Sequence, residues 1–354
     1  MSKQQIQVLV VDDSAVVRGL IARALETDPG IAVNGTAMHG EAALSWMRNH
    51  QIDVVILDVE MPVMDGLTAL KCIQSEFPAA KVIMASSLTQ AGAETTVEAL
   101  ALGAADCIAK PVSSSTADSI SQLLEQLVPL VKALGKQVAN LSHGRSSRAI
   151  FHRSHHHEAA PLAVVIGTST GGPNALTKLL TALPDDFPLP ILIVQHMPPT
   201  FTPMLAKHLA QDTGRPCSEA IDGGMIERGH TYVAPGDYHL LVDKQADQMI
   251  TRLNQGPKEH YCRPSVNPLF ESAADWYRKS LLAVMLTGMG DDGIEGTRKV
   301  VGSGGQVIAQ DEASSVVWGM PGAVVNENLA QSVLPLDEIA SEILELTTAE
   351  IGRR

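Results

Sequence analysis

The apolar positions fall into short β-branched runs separated by stretches with helical spacing. Ile6 to Val11 reads as a strand. Val16, Leu20, Ile21, Ala24 and Leu25 then recur as one face of a helix. Strands are predicted at Ile31–Val33, Val54–Leu57, Val82–Ala85 and Cys107–Ala109, and helices at Ala42–Met47, Leu67–Ile73, Thr95–Leu102 and Ile120–Val131. Five strands alternating with five helices predict a doubly wound, parallel α/β sheet.

The alternation resumes at Leu162–Ile166, a buried strand running into a Gly-rich turn and a helical pattern from Pro173, with a helix over Ala175–Leu183. Further strands are predicted at Ile191–Val194, Thr231–Pro235, Tyr238–Val242, Leu281–Leu286 and Gln306–Ala309. Helices are predicted over Phe201–Leu209 with Thr200 as N-cap, Leu269–Tyr277 and Ile339–Leu346. Hairpin-like pieces lie between Met225 and Arg252. The second half is also a mostly parallel α/β unit. The boundaries read from the pattern are 1–133 and 161–350. Between them, residues 134–160 lose all periodicity and are rich in Ser, Arg and His, as in a flexible linker. His155, His156 and His157 have no partnering carboxylate or cysteine nearby in sequence and read as part of that linker rather than as a metal site.

Composition narrows the class. With 354 residues and 45% hydrophobic side chains, each half can bury its own core. A net charge of -13 argues against a nucleic-acid partner. Cys72, Cys107, Cys217 and Cys262 show no CxxC pairing and read as free thiols in a reducing compartment. No signal peptide and no run of membrane-spanning length is evident. The expectation is a soluble, cytoplasmic protein without membrane insertion.

In the first half, candidate chemistry gathers where a parallel sheet binds its ligands, at the carboxyl ends of the strands. Asp12 and Asp13 end the first strand and Asp58 the third. Ser86 and Ser87 follow the fourth, and Lys110 precedes Pro111 after the fifth. Three converging carboxylates repel one another unless a cation joins them, and an all-oxygen set suits Mg²⁺. These are the parts needed to receive a phosphoryl group on a carboxylate. The segments VVDDS, LDVEMPVMDG, ASS and AKP resemble the receiver domain of two-component response regulators over about residues 5–130, a flavodoxin-like fold. The resemblance implies that Asp58 is the phosphoacceptor, with Mg²⁺ held by Asp12, Asp13, Asp58 and the carbonyl of Glu60. Ser86 would be the switch hydroxyl and Lys110 the phosphate-contacting lysine. A histidine kinase would be the phosphoryl donor.

In the second half, Gly167-Thr-Ser169-Thr-Gly171 has the Gly-x-Ser-x-Gly spacing that lifts a serine hydroxyl above a sheet edge. By itself the motif fits a phosphate-cradling loop at a helix N-terminus equally well. A serine nucleophile needs a base, and the base an orienting acid. His196 and the Asp291-Asp292 pair stand at two other predicted strand ends. The order Ser, His, Asp differs from that of α/β-hydrolases, so the spacing does not place the chain among them. IGTSTGGP, VQHMPPTFT, YVAPGDYH, CRPSVNPLF and MLTGMGDDG resemble the catalytic domain of chemotaxis protein-glutamate methylesterases, the CheB family, over about residues 162–345, a Rossmann-like domain.

That resemblance implies Ser169 as nucleophile, His196 as base and Asp292 rather than Asp291 as the acid. It also implies the backbone N–H of Met289 as an oxyanion donor, with Thr170 and Arg263 lining the site. Glutamate methyl esters on the cytoplasmic helices of chemoreceptors would be demethylated, and receptor glutamines deamidated, with no cofactor for the ester chemistry. The unphosphorylated receiver would limit substrate access. Asn267 departs from the acid found there in many relatives. Other classes stay open: a non-catalytic output module that binds a partner, a nucleotide-binding module lacking the P-loop ending, and a DNA-binding output disfavoured by the acidity.

Overall fold

A computed structural model describes residues 5–87, 89–110, 121, 124–135, 151–152 and 159–348. The histidines 155–157 lie outside these residues, as do 136–150. The chain divides into two compact units, Met1–Arg145 and Ser146–Arg354.

The first unit runs β1 (Ile6–Val11), α1 (Ala15–Leu25), β2 (Ile31–Ala37), α2 (Gly40–Met47), β3 (Val54–Asp58), α3 (Gly66–Glu76), β4 (Lys81–Ser86), α4 (Gln90–Ala101), β5 (Asp106–Ala109) and α5 (residues 124–135). Its strands form one parallel sheet in the order β2-β1-β3-β4-β5. Val8–Val11 and Val54–Asp58 are buried throughout, as expected for strands covered by helices on both faces. Side-chain caps start the helices. Ser14 accepts from the N–H of Val17, Asp65 from Thr68 and Thr89 from Gly92, each offsetting an orphan helix donor by about 0.5–2 kcal/mol. β2 continues four residues past its predicted end, to Ala37. α4 starts at Gln90 rather than Thr95, because Thr89 supplies its cap.

The second unit runs β6 (Phe151–His152), β7 (Ala163–Thr168), α6 (Gly172–Ala182), β8 (Ile191–Gln195), α7 (Thr202–Thr213), β9 (Cys217–Glu219), β10 (Thr231–Val233), β11 (His239–Gln245), β12 (Gln248–Asn254), α8 (Val266–Tyr277), β13 (Leu281–Met285), α9 (Ile294–Gly302), β14 (Gln306–Gln310), α10 (Met320–Asn326), β15 (Ser332–Leu334) and α11 (Leu336–Thr348). The large sheet has the order β6-β15-β14-β13-β7-β8-β10-β9. All pairings are parallel except that of β6 with β15. β6 lies inside the stretch read from sequence as linker. The hairpin-like region is the antiparallel pair β11–β12. α7 is capped at Phe201, not Thr200, and α8 begins at Val266, three residues before its predicted start.

β7, β8, β13 and β14 are buried along their whole length. Phe270 and Leu269 of α8 pack into the same core as Val165, Leu192 and Ala283, and burying such a side chain contributes about 1.5–3 kcal/mol. From β7 the chain first builds outward through β8, then returns to β13 on the other side. The strand order therefore reverses at β7, which opens the crevice where doubly wound sheets bind ligands.

Candidate active site and acidic pocket

In the first unit the order also reverses, between β1 and β3, and there the acidic residues meet. Asp12 and Asp58 are buried, Asp13 is exposed, and one oxygen from each lies within 4.8 Å of the others. Lys110 Nζ reaches Asp12 Oδ2 at 2.8 Å and Asp58 Oδ1 at 2.6 Å. The N–H of Glu60 donates to Asp58 Oδ1 at 3.3 Å, while Asp58 Oδ2 is buried with no hydrogen-bond partner. Burial raises the Asp58 pKa, Asp12 adds to this, and Lys110 opposes it. Burial alone would lower Lys110, but its bonds to Asp12 and Asp58 outweigh that and raise it. An orphaned carboxylate oxygen among three clustered carboxylates is a donor set that fits a hard divalent cation. Ser86 Oγ donates to the carbonyls of Gly92 (3.1 Å) and Ser87 (3.2 Å). Gly66 must be glycine, since a Cβ there would collide with the carbonyl of Asp58.

In the second unit, three neighbouring strands deliver Ser169, His196 and Asp292 to one edge. Ser169 follows β7, His196 follows β8, and Asp292 lies in the turn from β13 to α9. Thr287 ties two of these turns together. Its carbonyl accepts from the Ser169 N–H at 3.0 Å and from Thr168 Oγ1 at 2.9 Å, and its own hydroxyl donates to the Thr170 carbonyl at 2.9 Å. The Cα of Gly288 sits so close that a Cβ there would stand 2.9 Å from Ser169 Cβ. The following residue, Met289, has a backbone N–H with no acceptor among the described residues. Thr170 is buried, with its carbonyl used in this network.

His196 turns Nε2 to Asp292 Oδ2 at 2.7 Å. Asp291 points elsewhere, to His260 Nδ1 at 2.9 Å, and its side chain is 63% exposed. The Asp292 carboxylate is 2% exposed and fully engaged. Ser265 Oγ donates to Oδ1 at 2.7 Å, and the N–H of Val266, at the start of α8, donates to Oδ2 at 2.7 Å. Burial would raise Asp292, but the bonds from His196, Ser265 and Val266 hold it below the usual carboxylate range. For His196 burial lowers the pKa, yet the Asp292 carboxylate and the Cys262 sulfur outweigh it and raise the imidazole above its ordinary value.

The second ring nitrogen, Nδ1, faces Cys262 Sγ at 3.5 Å. No hydrogen bond joins Ser169 Oγ to His196 among the described residues. Apo geometry of this kind commonly tightens only with substrate bound. Cys262 is delivered by a two-residue turn in which Glu259 and Cys262 exchange backbone hydrogen bonds of 3.1 and 2.7 Å. His260 and Tyr261 occupy its centre with φ of 47° and 65°, a left-handed conformation costing about 1–3 kcal/mol at each non-glycine residue. His260, bound to Asp291 and 3.5 Å from Glu295 Oε2, holds the turn, and Tyr261 is 96% exposed. Arg263 braces the same loop. Nε and Nη2 bond Asp237 Oδ1, and Nη1 bonds the carbonyls of Gln255 and Gly256. Asn267 uses both ends of its amide, donating to Glu295 Oε2 at 3.0 Å and accepting from the Gly296 N–H at 2.9 Å. An aspartate there would set a carboxylate against Glu295.

Ser265, Cys262 and Gln195 are the parts of this site that the sequence pattern did not single out. Ser265 had a usable signal, a serine immediately before an apolar helical run. The four cysteines are unpaired, and no described helix is long and apolar enough to cross a membrane.

Comparison with known proteins identifies the family. Residues 8–122 match the response regulator receiver domain, and residues 164–343 match the CheB methylesterase family. A protein-glutamate methylesterase/protein-glutamine glutaminase of Rhodospirillum rubrum is 46% identical over 96% of this chain and 94% of its own length. One from Caulobacter vibrioides is 46% identical over 95% of this chain and 97% of its own length. The crystal structure of the Thermotoga maritima CheB methylesterase catalytic domain superposes with a TM-score of 0.52 at 42% identity, covering 53% of this chain and all of that one. The chain belongs to the CheB family of receiver-linked protein-glutamate methylesterases/protein-glutamine glutaminases.

Proposed function

We propose that this protein is a phosphorylation-controlled hydrolase that removes methyl esters from glutamates of chemoreceptors and deamidates receptor glutamines with the same groups. Its relatives carry both activities in their names. The observation that best supports the reading is the His196–Asp292 bond of 2.7 Å, set beside the Ser169 turn where the strand order reverses.

Ser169 Oγ attacks the γ-carbonyl carbon of the glutamyl ester while His196 Nδ1 takes the hydroxyl proton. Asp292 holds the ring through Nε2 and stabilises the imidazolium that forms. The Met289 N–H donates to the developing oxyanion, a contribution of about 2.7–4 kcal/mol for a donor of this kind. The C–O bond to the methoxy group breaks, and His196 returns the proton to the departing methanol. Water, activated by the same imidazole, then hydrolyses the acyl-Ser169 ester to the free glutamate and the serine hydroxyl. With a glutamine, the bond broken is C–N and ammonia leaves. Thr170 and Arg263 shape this site through the Ser169 turn and the 255–263 loop.

In the first unit Asp58 accepts the phosphoryl group, donated by a histidine kinase. Asp12, Asp13, Asp58 and the Glu60 carbonyl would hold Mg²⁺, which supplies charge neutralisation for the carboxylates and the incoming phosphoryl oxygens. Lys110 adds a second positive charge. Ser86 leaves the Gly92 carbonyl to bond a phosphoryl oxygen, the local event that reports phosphorylation. Methanol release from a methyl-esterified chemoreceptor, with and without acetyl phosphate and Mg²⁺, tests the reading. The parent releases methanol and acetyl phosphate accelerates it, while folded Ser169→Ala falls to background. Substantial turnover by Ser169→Ala contradicts the proposal.

A further inference from the structure

Gln195 is the last residue of β8, buried to 2% exposure, and its single amide nitrogen donates to two carbonyls at once. Nε2 lies 3.0 Å from the Ser169 oxygen and 3.1 Å from the His196 oxygen. One side chain therefore straps the backbone of the serine turn to the backbone of the histidine turn. The strap is confined on its far side. Oε1 is buried without a hydrogen-bond partner, and it lies against Gly172, where a Cβ would collide with it. The Ser169 carbonyl also accepts from the Gly172 N–H at 2.8 Å, so Gly172 and Gln195 grip the same oxygen from two sides.

Leaving an amide oxygen buried and unpaired is costly. Folding stability alone would favour an apolar side chain or one satisfied at both ends. What the glutamine provides is a fixed spacing between two turns that otherwise belong to different strands. The spacing matters because Ser169 Oγ must come within hydrogen-bond reach of His196 Nδ1, and a misplacement of about 1 Å can cost about 10²-fold in rate. We propose that Gln195 is a positioning residue for the hydrolysis, holding Ser169 and His196 in register for proton transfer. Its effect passes through the two backbones and not through substrate. It rests on the assignment of Ser169 and His196 given above.

The test is steady-state methanol release by the full-length protein carrying Gln195→Met, which keeps the length of the side chain and removes the donor. A second variant, Gly172→Ala, keeps the glutamine in the sequence but pushes a methyl group against its Oε1 and against Thr168 Oγ1. Both are expected to lower kcat about 10- to 100-fold with KM unchanged. The pH dependence of kcat/KM should keep the parent's midpoint, because the His196–Asp292 pair is untouched. Thermal unfolding of each variant shows whether it is folded, and one folded variant suffices. A folded variant with kcat within twofold of the parent overturns the proposal. So does a kcat loss accompanied by a moved pH midpoint, which would mean that Gln195 acts on the ion pair. Ser169→Ala, run alongside, separates the two levels: activity surviving there refutes the nucleophile itself, whereas background activity there with an unimpaired Gln195→Met refutes only the strap.

Discussion

His196 offers Nε2, not Nδ1, to Asp292 Oδ2, at 2.7 Å. A carboxylate only accepts, so Nε2 carries the proton and Nδ1 is the basic atom. The common serine-hydrolase arrangement runs the other way, with the acid on Nδ1 and the serine on Nε2. The reversal leaves Nδ1, which faces Cys262 Sγ, as the nitrogen that the proposed mechanism assigns to the serine proton.

Asp292→Asn removes the charge that holds the ring and favours the imidazolium. The expected loss in kcat is on the order of 10³–10⁴-fold. Asp291→Asn, whose carboxylate bonds His260 and not His196 among the described residues, should lose far less. Methanol-release kinetics of the two purified variants check the ranking, and the reverse order would exchange their roles.

The base must be neutral to accept a proton. Because Asp292 and Cys262 raise the His196 pKa, kcat/KM should rise with pH along a limb centred above the ordinary histidine value of about 6.5. Replacing Cys262 by Ala removes the sulfur's share, so the limb should move to lower pH. A limb that moves upward, or stays, shows that the sulfur has no hold on the imidazole.

Ser265→Ala leaves one Asp292 oxygen without its buried donor, at an expected cost of about 1–3 kcal/mol. The carboxyl's folded pKa lies below its unfolded one. The stability it contributes is therefore present above the unfolded value of about 3.9 and lost as pH falls through the folded value. Urea unfolding of parent and variant should differ most near neutrality and converge in acid.

Asp58 has the opposite sign. Burial raises its pKa, so the ionised group weakens the fold at neutral pH, and that penalty disappears once it is protonated. Asp58→Asn should raise the thermal midpoint at pH 7, with the gain shrinking as pH falls through the raised folded value and gone below the unfolded value of about 3.9. The same variant should lose stimulation by acetyl phosphate while retaining basal esterase activity. Chelating Mg²⁺ should abolish the stimulation in the parent and leave the basal rate.

Deleting residues 1–145 should raise basal methanol release if the unphosphorylated receiver restrains the catalytic unit. An unchanged or lower rate in the truncated protein argues against restraint.

Both sheets were legible because their strands are continuous apolar runs with chemistry-bearing residues at the carboxyl ends. Asp12, Asp58, Ser169 and His196 sit at such ends, and alternation alone points to them. β15, with three residues, is too short to show a period, and α9, IEGTRKVVG, carries two glycines and few apolar side chains. Gln195 looked like an ordinary polar stop after ILIV. Its role depends on two carbonyls that only the paired strands bring together. Cys262 was hidden more deeply. Turns of this hand favour Asn or Gly, and His260-Tyr261 carries no such mark. The contact that matters spans 66 residues.

Cys262 lies against the His196 nitrogen that the proposed mechanism assigns to Ser169, so the identity of the acylated atom decides the mechanism. Rapid quench of the full-length protein with a methyl-esterified receptor fragment, followed by peptide mass spectrometry, reads it directly. The acyl group is expected on Ser169, and the adduct should vanish in Ser169→Ala. An adduct on Cys262, or full turnover with Ser169 never acylated, would contradict the account.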